Sequence, residues 1–177
     1  MRADNAAAVH VYEKLGFSID WTLIEIGLYG KAFIKPQITK SEVIQYCYTL
    51  LEHKTTYEKT VVELICEKDN DANFKKLVSK LISYDKTVDI DICLRKWRAF
   101  ILWNLLSHLT SDYMQNLLEI NEFWAEMGFP ENVDHIYPSS KNISIYFTSV
   151  NCNRIIKKNT HWLHNEIAQI MKLSLIH

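Results

Sequence analysis

The stretch from Asp89 to Leu109 constrains the fold of this chain more than any other part of it. Ile90, Leu94, Trp97 and Ile101 recur at helical spacing, while Asp91, Arg95, Lys96 and Arg98 fall on the remaining faces. From Ala99 to Leu106 every residue except Asn104 is apolar. A helix that is apolar all round is buried all round, so other helices are expected to wrap this one. The apolar run is far shorter than the roughly 20 residues a bilayer requires, which argues against a membrane span.

Composition points the same way. The chain of 177 residues has only four glycines and three prolines, whereas average usage would give roughly a dozen glycines. That scarcity disfavours turn-rich sheets and phosphate-binding glycine loops, and it favours helices. Apolar residues make up 48% and charged residues 23%, a globular balance. Twenty basic side chains face 21 acidic ones for a net charge of −1. The densest basic groups, Arg95-Lys96-Trp97-Arg98 and Arg154 with Lys157-Lys158, are short, so no nucleic-acid partner is expected.

Capping signals and apolar periodicity agree along the chain. Residues 4 to 15 read as a short helix ended by Gly16. Asp20 caps a helix ended by Gly30, and a connection with Pro36 follows. Thr39-Lys40-Ser41-Glu42 is a capping box opening a helix to about His53, with Val43, Ile44, Cys47, Leu50 and Leu51 inward. Thr55-Thr56-Tyr57-Glu58 repeats the device ahead of Val61, Val62, Leu64 and Ile65. Asn70-Asp71 opens a helix to about Tyr84 that turns Phe74, Leu77, Val78, Leu81 and Ile82 inward. After the central helix, Ser111-Asp112 opens one to Met127, with Leu117, Leu118, Ile120, Phe123 and Trp124 inward and Gly128 as its stop. A short helical turn is expected from Phe129 to Ile136, and a last helix from about Thr160 to Leu173 carrying Trp162, Leu163, Ile167, Ile170 and Met171.

Between them, Ile143, Ile145 and Phe147 alternate with Ser144, Tyr146 and Thr148, which predicts one minor strand near 143–150. Its candidate partner inside the chain is Ala32 to Ile34, and pairing across a homodimer is the other way to satisfy its edge. The expected fold class is therefore all-α or nearly so, a multi-helix single domain around the buried central helix 89–109.

The four cysteines, Cys47, Cys66, Cys93 and Cys152, have no metal-ligand spacing, and the first three sit in apolar helical segments. Buried free thiols in a reducing compartment are expected. Met1-Arg2-Ala3-Asp4-Asn5 leads directly into a helix, so the expected location is cytoplasmic, without a signal peptide.

Asn5-Ala6-Ala7-Ala8-Val9-His10-Val11-Tyr12-Glu13-Lys14-Leu15-Gly16-Phe17 resembles a motif of the GNAT family of acetyl-coenzyme A dependent N-acetyltransferases. The resemblance implies that Asn5 would contact the pantetheine arm of acetyl-CoA. It also implies that Tyr12 would protonate the departing thiolate, as a phenol beside a leaving sulfur can. No Arg/Gln-x-x-Gly-x-Gly/Ala loop follows to hold the diphosphate; the closest glycine pair is Gly27-Leu28-Tyr29-Gly30, inside a helix. Residues 1–17 are accordingly read as a GNAT-like terminal remnant or helical appendage on a single helical domain of residues 18–177.

From about Ile19 the chain resembles a family of bacterial helical domains of unknown function. The residues that carry this are Asp20 to Leu28, Leu94 to Trp97 and Phe123-Trp124-Ala125-Glu126-Met127-Gly128-Phe129-Pro130-Glu131. Proteins of this kind resemble small immunity proteins that neutralise a partner toxin, which implies a protein partner and neither cofactor nor metal. Other chemistry is thin. His161 and His164, near Glu166, have a spacing that can ligate zinc, but no third ligand frames them. Asp134-His135 reads as surface, and His108 suits the end of the central helix. Asn104, if buried, fixes helix register or faces a pocket. Five tryptophans and nine tyrosines exceed what a core this size needs, and both types favour interfaces. The leading reading is a non-enzymatic helical protein that binds another protein. The alternative is a GNAT-type N-acetyltransferase or a fragment of one.

Overall fold

The computed structural model describes residues 15–53, 57–85, 88–128, 130, 133 and 135–174. Among them the chain forms eight α-helices and no strand. In order these are α1 (Trp21–Tyr29), α2 (Lys40–Glu52), α3 (Glu58–Cys66), α4 (Asp71–Ile82), α5 (Ile90–Ser107), α6 (Tyr113–Glu126), α7 (Ile143–Tyr146) and α8 (Ser149–Ser174). The all-α class is as expected, and none of these helices is long and apolar enough to cross a membrane. The described residues divide into two compact units, one ending at Trp97 and the other beginning at Arg98, so the division falls within the continuous helix α5.

In the first unit α1 packs on α4, α4 on α3, and α3 on α2. Six of the nine residues of α1 are buried: Trp21, Leu23, Ile24, Ile26, Gly27 and Leu28. The carboxylate of Asp20 accepts the Leu23 N–H at 2.7 Å, and Gly30 ends the helix at φ +76° with its N–H on the Ile26 carbonyl. At a positive φ of that size glycine avoids the Cβ penalty. A second carboxylate, Asp85, accepts the Trp21 N–H at 2.6 Å. Burial raises the Asp85 carboxyl above its usual range and the Asp20 charge adds to this, while the Trp21 and Thr22 N–H groups oppose it.

Facing Asp20 is Lys96, a lysine buried to 3% exposure. Its Nζ donates to the Ser18 carbonyl at 2.8 Å and to Ser18 Oγ at 3.2 Å, and lies 3.4 Å from Asp20 Oδ2. The Cys93 Sγ sits 3.6 Å from the same carboxylate.

Gly27 meets α5 at closest approach. The Trp97 indole lies over it, and the Trp97 Nε1–H donates to the Leu23 carbonyl at 2.9 Å. A Cβ at position 27 would overlap that ring and stand 3.1 Å from Ile38 Cδ1. Gly27→Ala is therefore expected to cost about 1–3 kcal/mol, the usual penalty of forcing atoms into a packed core. Urea unfolding of the variant checks this; an unchanged midpoint would mean that the indole can move aside.

In the second unit α6 packs on α8, and α7 leans on the start of α8. Asp112 caps α6 through the N–H groups of Met114 and Gln115. Asn116, buried, clamps the preceding turn by accepting the Thr110 N–H and donating to the Thr110 carbonyl, both at 2.9 Å. Gly128, at φ +71°, follows the last turn of α6. Along α8 the buried positions are Asn151, Cys152, Ile155, Asn159, Leu163, Glu166 and Ile170, a helical stripe with three polar members.

Several expectations are corrected. Residues 143–150 form no strand: 143–146 are helical and α8 begins at Ser149, eleven residues before the expected start at Thr160. The alternation there is not a burial pattern, since Ile143, Ile145 and Val150 are 56%, 71% and 79% exposed. Near its supposed partner there is only an isolated bridge between Lys31 and Ile34, closing a tight turn through Ala32 at φ +53°. Tyr57 stands at the N-cap of α3 without a side-chain bond, and Thr55 and Thr56, on which the second expected capping box depends, lie outside the described residues. Val62 and Leu118 are exposed because each adjoins a buried residue, and neighbours in a helix point about 100° apart. Ile90 and Met171 are exposed as well.

The central helix is not buried all round. Ala99, Phe100 and Leu102 are buried, but Trp103, Asn104, Leu105 and Leu106 are half-buried. More than half of a folded surface is apolar, so an apolar face does not guarantee a cover. Arg98 joins Lys96 among the buried residues, against the expectation of a polar face there. The helix expected over 4–15 falls almost wholly outside the described residues. So do Phe129, Glu131, Asn132 and Asp134 of the expected turn, whose neighbours Pro130, Val133, His135 and Ile136 are not helical.

Candidate functional site

The second unit carries a cleft of about 360 Å³ along one face of α8. Its floor starts from Trp124, near the end of α6 and fully buried. The Trp124 Nε1–H donates to Asn159 Oδ1 at 2.7 Å, and the Asn159 Nδ2 donates to the Ile155 carbonyl at 2.8 Å. Both ends of that buried amide are thereby satisfied. Trp162 stands perpendicular to Trp124, with ring centroids 4.9 Å apart, the edge-to-face geometry that aromatic quadrupoles favour.

One wall of the cleft is His135. Its ring packs edge-on against Tyr137 at 4.7 Å, and its Nε2 lies 2.7 Å from Asn121 Oδ1. The Tyr146 hydroxyl donates to the same oxygen, also at 2.7 Å. Asn142 fixes the connecting loop by accepting the Ser139 N–H and donating to the Tyr137 carbonyl. His135 is thus a half-buried, packed ring, not the surface residue expected from its neighbours in sequence.

The rim is built of basic side chains. Arg154, Lys157, Lys158 and His161 occupy positions i, i+3, i+4 and i+7 of α8, hence one face of the helix, and all line the cleft. The Arg154 guanidinium donates through Nη2 to Asn151 Oδ1 at 2.9 Å. The indole N–H of Trp162 is buried and has no hydrogen-bond acceptor among the described residues. The described lining contains no hydroxyl, thiol or carboxylate. Chemically it can attract an anion, and its reactive side chains are two histidines and two lysines, with no carboxylate, hydroxyl or thiol beside them in the described lining.

A larger hollow of about 610 Å³ lies between α3 and α4, lined by Val62, Cys66 and Leu77 among others. Four of its polar groups are committed to one another: Lys80 pairs with Glu63 at 3.6 Å, and Asn73 donates to Glu67 at 3.2 Å. The cleft on α8 is the better candidate.

The residues singled out in the sequence fall as follows. Asn5 and Tyr12 lie outside the described residues. The glycine pair 27 and 30 belongs to α1 and its cap, and no strand among the described residues offers a diphosphate cradle. His161 and His164 are exposed and Glu166 is buried, and no cluster of three metal-ligating side chains occurs among the described residues. Asp134 is outside the described residues. His108 is exposed just past α5, with Nδ1 2.8 Å from the Asn104 carbonyl.

Of the thiols, Cys47, Cys93 and Cys152 are buried, and burial raises all three, Cys47 to about 12. Cys66 is exposed, contrary to expectation, in the last turn of α3, where it lines the hollow beside α4. A maleimide added to the native protein at neutral pH should label Cys66 alone, and the other three only after unfolding, because the thiolate is the reactive form. Mass spectrometry of tryptic peptides checks this; early labelling of Cys93 would mean that the Lys96–Asp20 cluster opens.

Residues 10–167 match the model of a family described as an uncharacterized protein conserved in bacteria (DUF2247). The match reaches back past Phe17, into the segment that resembles the acetyltransferases. No curated protein and no solved structure matches.

Proposed function

The chain belongs to this uncharacterized bacterial family, and from that premise we propose that it acts by binding another protein and catalyses no reaction. The observation that carries the reading is the cleft on α8, which joins two indoles to a basic stripe and in whose described lining no carboxylate, hydroxyl or thiol stands beside the histidines and lysines. General acid–base or covalent catalysis needs such groups within hydrogen-bond reach of one another. Tryptophan and arginine, by contrast, are the side chains in which interface binding energy concentrates.

In its finer form the proposal is an immunity protein that neutralises a toxin in bacterial competition, working in the cytoplasm. The four free thiols support a reducing compartment. Co-expression with the product of each adjacent gene, followed by size-exclusion chromatography, tests the binding. A stable complex is expected, and for a toxin, restored growth of the host. Failure of every neighbour to associate would overturn the proposal. Acetyl-CoA should leave the melting temperature unchanged; turnover of acetyl-CoA with an amine acceptor would instead make the protein an enzyme.

A further inference from the structure

We infer that the cleft on α8 is the docking site for a short acidic segment of the partner, one that presents two carboxylates on one face. The inference rests on the binding-protein reading and names the surface and the chemistry it selects.

The first argument is charge and its spacing. From Arg154 to His161 the stripe runs about 10 Å at 1.5 Å per residue. Same-face side chains of an extended segment recur about every 7 Å, so two carboxylates fit along it. Charges arranged in this way steer an oppositely charged partner and fix its register.

The second argument is the floor. Trp124 is fully buried and Trp162 packs edge-on to it, so the described lining beneath the stripe is apolar and holds no carboxylate that would repel a docking one. Nucleic acid fits less well, because the chain as a whole carries a net charge of −1 and the stripe is only one face of two helical turns.

The probe is an acetylated, amidated Glu-Glu-Phe-Glu-Glu peptide, which contains no tryptophan and so leaves the indole emission of the protein as the readout. Saturable change in that emission is expected, weakening with added salt. Arg154→Glu/Lys157→Glu should lose about tenfold or more in affinity, with an unaltered circular dichroism spectrum showing that it folds. The Lys-Lys-Phe-Lys-Lys counterpart should not bind.

Absent saturation, equal binding by the lysine peptide, or full binding by the double variant would overturn the inference. So would tighter binding of a single-stranded oligonucleotide at the same site. If a partner found by co-expression still associates with Arg154→Glu/Lys157→Glu, this surface is wrong while the binding-protein reading stands.

Discussion

Trp124→Ala is expected to destabilise the protein by about 3–5 kcal/mol, the range for truncating a buried tryptophan. Trp124 is fully buried, edge-on to Phe123 at 4.8 Å and to Trp162 at 4.9 Å. Removal opens a cavity between α6 and α8. It also strands the Asn159 carbonyl oxygen, a buried acceptor whose loss of a donor costs about 1–3 kcal/mol by itself. The two terms overlap, so the sum is not the prediction. Trp124→Phe should fall between wild type and alanine, since it refills part of the volume but still lacks the N–H. Urea unfolding followed by circular dichroism gives both numbers. A loss below about 1 kcal/mol for alanine, the scale of ordinary surface changes, would show that the seam between α6 and α8 is held elsewhere.

The second large effect is at Lys96. Lys96→Met should cost about 3–5 kcal/mol, because removing one member of a buried ion pair leaves the other uncompensated. Here the residue left behind is Asp20, only 15% exposed, and the Ser18 carbonyl also loses its donor. Adding Asp20→Asn should recover part of the loss. Asparagine still caps α1, so the double variant removes the charge without removing the cap. If the two single losses simply add in the double variant, Lys96 and Asp20 are not coupled and the ion-pair account fails.

Those two residues also show what the sequence made legible and what it hid. The termini of helices were readable, because a cap is a local event: Asp20, Thr39 with Glu42, Asn70 and Asp112 each bond backbone N–H groups two or three residues on. Gly30 and Gly128 mark stops for the equally local reason of a positive φ. Burial of charge was not readable. Nothing in Arg95-Lys96-Trp97-Arg98 says that Lys96 meets a carboxylate 76 positions away.

The first half of α8 was missed for a related reason. Of its inward residues, Asn151 and Asn159 are polar, so the apolar period that would reveal the helix is broken where it begins. The candidate site suffered from the same omission. Arg154, Lys157 and Lys158 were visible as a short basic group, but their alignment with His161 and Trp162 exists only once the segment is helical. A scan for i, i+3, i+4, i+7 recurrence of positive residues would have found it. The roles of Asn121 and His135, joined across 14 positions, leave no such trace.

The close fit of Gly27 beneath Trp97 leaves a mark on how the sequence can drift. A methyl at 27 is tolerable only after the ring above it has shrunk, and a smaller ring leaves a hollow that a methyl would fill. Each step alone is harmful and the pair is not. The two positions should therefore be inherited as a couple, glycine with tryptophan or alanine with something slighter, even though they stand 70 positions apart in the chain.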